Sequence, residues 1–272
     1  MYFFKGIIDI VIVILLLRLL IRPREAFFDP IFGLIYRITN PLLIPAGYIT
    51  RNASYGTILT ILAFVVLRGG VYVLIQPMSF LFGIGISLFS LVKLLFQAYM
   101  VMWVVSLLTA RSFGSSFLLL IDRAFRPLRG ILRRLGIPRQ KFHVSVFLFL
   151  LILYALLSAI IRYTIIPKAM LSLVSFIMGL SEGLILFLGL FQFPGFFFLV
   201  IIAGVVLSWV SPDPSNPVVQ AIYGISEPLL RPFRRFVPPL GGLDLSPMVA
   251  LFCFQLLGRL GQEMIERLMR MV

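Results

Sequence analysis

The stretch VSVFLFLLILYALLSAII, residues 144–161, decides the fold class. It holds no charged residue and no proline, and an α-helix needs about 20 such residues to cross a hydrocarbon core ~30 Å thick. Residues 94–110 and 183–212 are equally free of charge. Across all 272 residues, 61% are hydrophobic and 12% charged, with a mean hydropathy of +1.09. A soluble domain of this length needs a larger charged shell than that. The reading is an all-α, polytopic transmembrane helical protein, and water-soluble classes are excluded.

The N-terminal run MYFFKGIIDIVIVILLLRLLIRP resembles a signal peptide only in hydrophobicity. Lys5 alone precedes its apolar part, whereas Arg18, Arg22 and Arg24 stand at or beyond its end, and no small-x-small cleavage pattern follows. It reads as an uncleaved first span with its N-terminus outside.

An internal pattern divides the chain. YRITNPLLIP (36–45), DRAFRPLRGI (122–131) and YGISEPLLRP (223–232) each lie between two apolar spans. The expected modules are 1–76, 77–167 and 168–272, tandem repeats of span, interfacial helix, proline break and span. Asp29-Pro30 and Asn216-Pro217 read as helix starts, a capping side chain followed by proline at the first turn, and Ser246-Pro247 opens the last span. The residue before proline is driven out of helical geometry, so the amphipathic helices are expected to end at Pro41, Pro127 and Pro228. They should lie in the headgroup plane, with residues such as Leu230 and Phe233 down and arginines up.

Charge assigns the sides. The net charge is +14, from 24 Lys and Arg against 10 Asp and Glu. The surplus gathers at the three motifs. The first carries Arg22, Arg24, Arg37 and Arg51. The second, a basic loop over 111–141, carries Arg111, Arg123, Arg126, Arg129, Arg133, Arg134, Arg139 and Lys141. The third carries Arg231, Arg234 and Arg235. The turn at Gln76-Pro77 is uncharged, while Arg162 and Lys168 flank the next one. The positive-inside rule then places all three motifs on the cytoplasmic side of a bacterial inner membrane, with both termini outside. Parity requires six crossings, at about 6–22, 56–76, 94–110, 144–166, 193–211 and 247–262, with 78–92 and 169–190 interfacial or re-entrant.

The third module carries a more specific signature. SWVSPDPSNPVVQAIYGISEPLLRPFRRFVPPLGGLDLSPMVALFCFQLL (208–257) resembles the YggT family, also called YlmG. The resemblance rests on Ser208-Trp209, Glu227-Pro228 with Arg231, Arg234-Arg235, Pro238, and Gly241-Gly242 through Asp244 to Ser246-Pro247, and Asp213 joins these as a candidate interaction or structural residue. The first two copies match more loosely; the second keeps Trp103 and Arg-Pro-Leu at 126–128. Familiar members have two copies where this chain shows three. What the resemblance implies is a small bacterial or plastid membrane protein without assigned chemistry. Its members are linked to division and nucleoid-distribution machinery, to osmotic tolerance and, in plastids, to haem attachment on a b-type cytochrome.

The residues themselves argue against catalysis. Gly179-Leu180-Ser181 suggests a serine hydrolase, but His143, the single histidine, sits beside the basic loop. Asp9 has no second intramembrane aspartate for aspartyl chemistry, and one Cys253 gives neither a disulfide framework nor a thiolate metal site. No cofactor or metal is expected. Among embedded charges, Arg18, Lys93 and Arg162 are read as snorkelling from segment ends. Arg68, mid-span, needs a partner: Glu182, a span-end carbonyl or water. Gly179/Gly183 and Gly83/Gly85 read as close-packing positions. Asp244 is expected to cap the last span, to pair with Arg231 or Arg234, or both.

Function is then read as a non-enzymatic membrane scaffold whose basic, Pro-rich cytoplasmic face meets anionic headgroups and protein partners. Phosphate contact through such a loop would be unspecific, which argues against nucleic acid. The alternatives are a small ion or solute pathway between repeats, lined by Arg68 and Glu182, and a cytochrome assembly factor. Partner identity and any homo-oligomer are not legible in one chain.

Overall fold

The computed structural model describes residues 2–76, 78–108, 115–165, 172–210, 213–237 and 244–271. Arg111, Phe113, Lys168, Pro238 and Gly241-Gly242-Leu243 lie outside them, as do the side chains of Phe117 and Arg139. The described residues form helices α1 (Tyr2–Leu20), α2 (Pro23–Phe28), α3 (Pro30–Gly47), α4 (Ala53–Ile75), α5 (Phe80–Leu108), α6 (Ser115–Arg134), α7 (Phe142–Ile165), α8 (Leu173–Gly189), α9 (Phe196–Val210), α10 (Pro217–Phe236) and α11 (Ser246–Met269), with one short 3-10 turn and no strand among them. The protein is an all-α polytopic membrane protein.

Helix starts follow the local chemistry. The Asp29 carboxylate accepts from the backbone N–H groups of Ile31 and Phe32 at 2.9 and 3.2 Å, and Asn216 accepts from Val218 at 2.9 Å, with Pro30 and Pro217 in first position.

The expected proline breaks are absent. Pro41 and Pro45 lie inside α3, Pro127 inside α6, and Pro228 and Pro232 inside α10. Proline in a helix interior forfeits one hydrogen bond and crowds the carbonyl four residues earlier, a cost of about 3 kcal/mol in water. In α3 the carbonyls left without a helical donor belong to Arg37 and Pro41, both exposed, where water or headgroups can reach them. The four-residue spacing of Pro41/Pro45 and of Pro228/Pro232 confines the loss to one side of each helix.

The segments 78–92 and 94–110 are not an interfacial piece followed by a span. They form one helix, α5, of 29 residues, about 43 Å long at 1.5 Å per residue. Lys93 therefore stands mid-helix, its ammonium 4.5 Å from the Phe89 ring centroid, and not at a segment end. The basic loop is likewise largely helical, as α6. The interfacial alternative for 169–190 also fails, because α8 packs lengthwise and antiparallel on α7. Gly179 faces Ala155 and Ser158, Gly183 faces Leu151 and Tyr154, and Phe187 meets Phe147.

Among the described residues, four helices are long and apolar enough to cross a membrane: α4, α5, α7 and α11. Six crossings were expected. α1 has the length but carries Lys5, Asp9 and Arg18, and α9 has 15 residues, about 22 Å.

The chain divides into two compact units. Unit one comprises Met1–Leu94 and Ile160–Met170, and unit two the rest, so that α5 and α7 contribute to both. In unit one, Ile8, Ile12 and Leu15 of α1 pack on Ile61 and Val65 of α4. Gly69 and Gly83 bring α4 and α5 together, since a Cβ at Gly83 would lie 2.7 Å from the Gly69 carbonyl oxygen. In unit two a chain of rings ties the helices. It runs from Trp103 through Phe147, Phe187, Phe191 and Phe254 to Phe233, with successive centroids 5.1 to 5.8 Å apart.

Candidate functional site

Arg68 of α4 is wholly buried in unit one. Its guanidinium pairs with the Asp9 carboxylate of α1, and donates through Nε to Ser87 Oγ at 3.0 Å and through Nη2 to the Ser87 carbonyl. Ser87 Oγ donates onward to the Val65 carbonyl at 2.6 Å. The partner is thus Asp9, and not Glu182, which lies on α8. A buried cation is held where charge, hydrogen bonds and shape all meet it.

Arg18 does not snorkel. It is 8% exposed and reaches from α1 into α3, donating to Thr39 Oγ1 at 2.6 Å and Asn40 Oδ1 at 2.8 Å. The guanidinium also stacks 4.1 Å from the Tyr36 ring centroid. It grips the Thr-Asn-Pro segment of the first motif, so the planar fork is used as a clamp.

The two basic helices belong to unit two and are sharply two-sided. α6 buries Ile121, Ala124, Phe125, Leu128 and Leu132, while Arg126, Arg133 and Arg134 are exposed. Asp122 gathers two of its arginines. Its carboxylate pairs with Arg129, whose guanidinium also reaches the Asp122 carbonyl at 2.7 Å, and with Arg126 at 3.3 Å. The Arg129 hydrogen bond holds the Asp122 carboxyl below the usual carboxylate range. Lys141 is exposed and Arg123 half-buried.

α10 buries Val219, Ile225, Leu229 and Leu230 and exposes Arg231, Arg234 and Arg235. Arg234 bridges two carboxylates, Glu227 at 2.5 Å and Asp244 at 2.8 Å. Asp244 also accepts from the Ser246 backbone N–H at 2.9 Å, so one side chain both caps α11 and pairs with α10. Partial burial pushes the Asp244 carboxyl up, but the Ser246 and Arg234 donors outweigh it and hold it low. Ser246 and Pro247 are buried beneath this latch. Asp213 stands just before α10, where both its oxygens accept from Ser215, at 2.8 Å each. Trp209 at the end of α9 is 74% exposed.

Among the described residues, the candidate catalytic groups stand apart. His143 is exposed at the start of α7, its carbonyl accepting from Trp103 Nε1 at 2.9 Å. Ser181 donates to the Met178 carbonyl within its own helix at 2.8 Å. Among the described residues, no three His, Cys, Asp or Glu side chains converge on a metal site. Sequence reasoning missed Asp9, Ser87 and the Thr39–Asn40 acceptors. The available signal was spacing: Lys5 and Asp9 are one turn apart on α1, as Arg68 and Tyr72 are on α4, and Lys5 lies 5.5 Å from the Tyr72 ring centroid.

Residues 183–265, from α8 into α11, match the CCB3/YggT family. An uncharacterized protein of Pseudomonas aeruginosa is 50% identical over 64 residues, 24% of this chain and 32% of its own length. The chloroplastic YlmG homolog protein 2 of Arabidopsis thaliana is 38% identical over 68 residues, 25% of this chain and 27% of its own. Matches of this kind span about a third of the relative. A longer one, to an uncharacterized protein encoded in the proC 3′ region of Vibrio alginolyticus, is 31% identical over 176 residues, 60% of this chain and 86% of the relative. No solved structure matches. With the Glu227–Arg234–Asp244 latch and the Ser-Pro start of α11 inside the matched region, the chain belongs to the CCB3/YggT family.

Proposed function

We propose that this protein is a non-enzymatic scaffold or assembly factor of the bacterial inner membrane, presenting a basic cytoplasmic face to division, nucleoid-distribution or membrane-complex partners. The carrying observation is the two-sidedness of α6 and α10. Each buries a leucine-rich side and turns arginines outward, and the Glu227–Arg234–Asp244 latch ties α10 to the start of α11. Cations held on short rigid helices at the headgroup level bind an acidic partner with less ordering cost than a flexible loop would. The pathway alternative places Arg68 on a conduction route. Its wholly buried guanidinium, engaged by Asp9 and Ser87, favours a structural part instead.

Photo-crosslinking tests the reading. A benzophenone amino acid at Gly130 or Pro232, both exposed beside the arginines, should capture a discrete protein partner in membranes, and Arg231→Gln/Arg235→Gln should reduce that adduct. Crosslinks to lipid alone at both positions would overturn the scaffold reading.

A further inference from the structure

The first amphipathic helix differs from the other two in what it shows outward. With Pro41, Pro127 and Pro228 aligned, Arg133-Arg134 and Arg234-Arg235 correspond to Gly47-Tyr48, and Arg231 corresponds to Ile44. The exposed side of α2 and α3 is accordingly apolar and aromatic. Phe27, Phe28 and Tyr48 are 86%, 82% and 88% exposed, and Leu34, Ile38 and Ile49 join them. This face cannot turn inward. The opposite side of α3 already buries Phe32, Thr39 and Ala46, and Arg18 clamps it through Thr39 and Asn40.

Four exposed cations, Arg22, Arg24, Arg37 and Arg51, border the apolar face. Two acids stand among them, Glu25, which accepts from the Arg22 backbone N–H, and Asp29, which caps α3, so the four arginines leave the border with a positive surplus. A second copy seated on this face would set these cations against their own duplicates. An anionic leaflet fits instead, with acyl chains against the rings and headgroup phosphates against the arginines. We propose that α2 and α3 form a dedicated site for anionic phospholipid, gripping the leaflet while the basic helices α6 and α10 remain available to other partners.

Fluorescence quenching in vesicles tests this. The full chain carrying Phe28→Trp, Trp103→Phe and Trp209→Phe is reconstituted into phosphatidylcholine with or without phosphatidylglycerol, one lipid at a time bearing brominated acyl chains. The expected result is strong bromolipid quenching, weak acrylamide quenching, and at least twofold greater quenching per lipid by brominated phosphatidylglycerol. Replacing Arg22, Arg24, Arg37 and Arg51 by Gln should abolish that preference while leaving quenching by the brominated choline lipid. Retaining Trp103 and reading the difference made by Phe28→Trp removes any dependence on the Trp103 hydrogen bond. Acrylamide quenching like that of free tryptophan would overturn the proposal, as would shielding from both quenchers, which would mark a protein-covered face. Equal quenching by the two bromolipids would overturn the anionic preference.

Discussion

Replacing Asp9 by Asn isolates the energetics of the embedded pair. Arg68 has no solvent exposure, and its donors end on the Asp9 carboxylate, Ser87 Oγ and the Ser87 carbonyl. Breaking a buried pair by removing one partner costs about 3–5 kcal/mol, because the other charge is left uncompensated. Asp9 is itself 30% exposed, so its carboxylate contributes less than a fully enclosed one, and the expected loss is about 2–3 kcal/mol. At 1.4 kcal/mol per decade this is about a 30- to 150-fold fall in the folded-to-unfolded ratio. Arg68→Met should cost less, about 1 kcal/mol, since the surviving Asp9 keeps an open edge. The double variant leaves no uncompensated buried charge and should lie within about 1 kcal/mol of wild type. Unfolding equilibria in mixed micelles, titrated with a denaturing detergent, read all three. Asp9→Asn within about 0.5 kcal/mol of wild type, or a double variant no better than Asp9→Asn, would refute the reasoning.

Other expectations follow from the same geometry. Gly179→Ala should destabilise the protein clearly more than Gly183→Ala, in the same unfolding assay. A Cβ at 179 meets backbone atoms of Ala155 at 2.8 Å, whereas the nearest atom to one at 183 is the flexible tip of Leu151. Thr39→Val removes the acceptor of the 2.6 Å Arg18 bond and should lower stability by about 1–3 kcal/mol, with Thr39→Ser retaining most of it. Asp122 and Asp244 both have lowered folded-state carboxyl pKa values. Their contribution is therefore present above the ordinary carboxylate value of about 4 and is lost as pH falls through the folded value. Melting curves between neutral and acid pH should show a drop that is smaller in the Asp122→Asn/Asp244→Asn double variant; an unchanged drop would contradict it.

The sequence carried the membrane class, the helix starts and the best-matched third motif because each is written in nearby residues. Asn216-Pro217 and Asp29-Pro30 announce their caps within three positions. Two kinds of feature were not legible. The proline rule predicts a break from local sterics, yet α3, α6 and α10 run through their prolines because burial of their apolar sides holds the helix on both sides of the defect. Lys93 suggested a boundary for a similar reason, and a single cation could not interrupt α5 once Phe89 lay beneath it. Partner identity was the second gap. Asp9 and Arg68 are 59 residues apart, and only the packing of α1 on α4 brings them together. Arg18 stands near the end of α1, as its sequence position suggests, but its acceptors belong to α3. At Asp244 capping and pairing were both foreseeable, because Arg234 and Ser246 flank it closely in sequence.

The central claim, that the exposed arginines of α6 and α10 form a partner-binding face, is tested most directly by salt-dependent co-purification in mild detergent, without crosslinking, of the partner that photo-crosslinking identifies. Wild type, Arg133→Gln/Arg134→Gln/Arg231→Gln/Arg235→Gln, and Asp9→Asn/Arg68→Met are compared at equal amounts of folded protein. Exposed charges are screened over about 10 Å at 0.1 M salt and over about 3 Å at 1 M. The account predicts recovery that falls with salt in wild type, is lost in the arginine variant at low salt, and is unchanged in the Asp9/Arg68 variant. Recovery insensitive to salt and to the four arginines, together with solute flux into proteoliposomes that disappears in the Asp9/Arg68 variant, would contradict it.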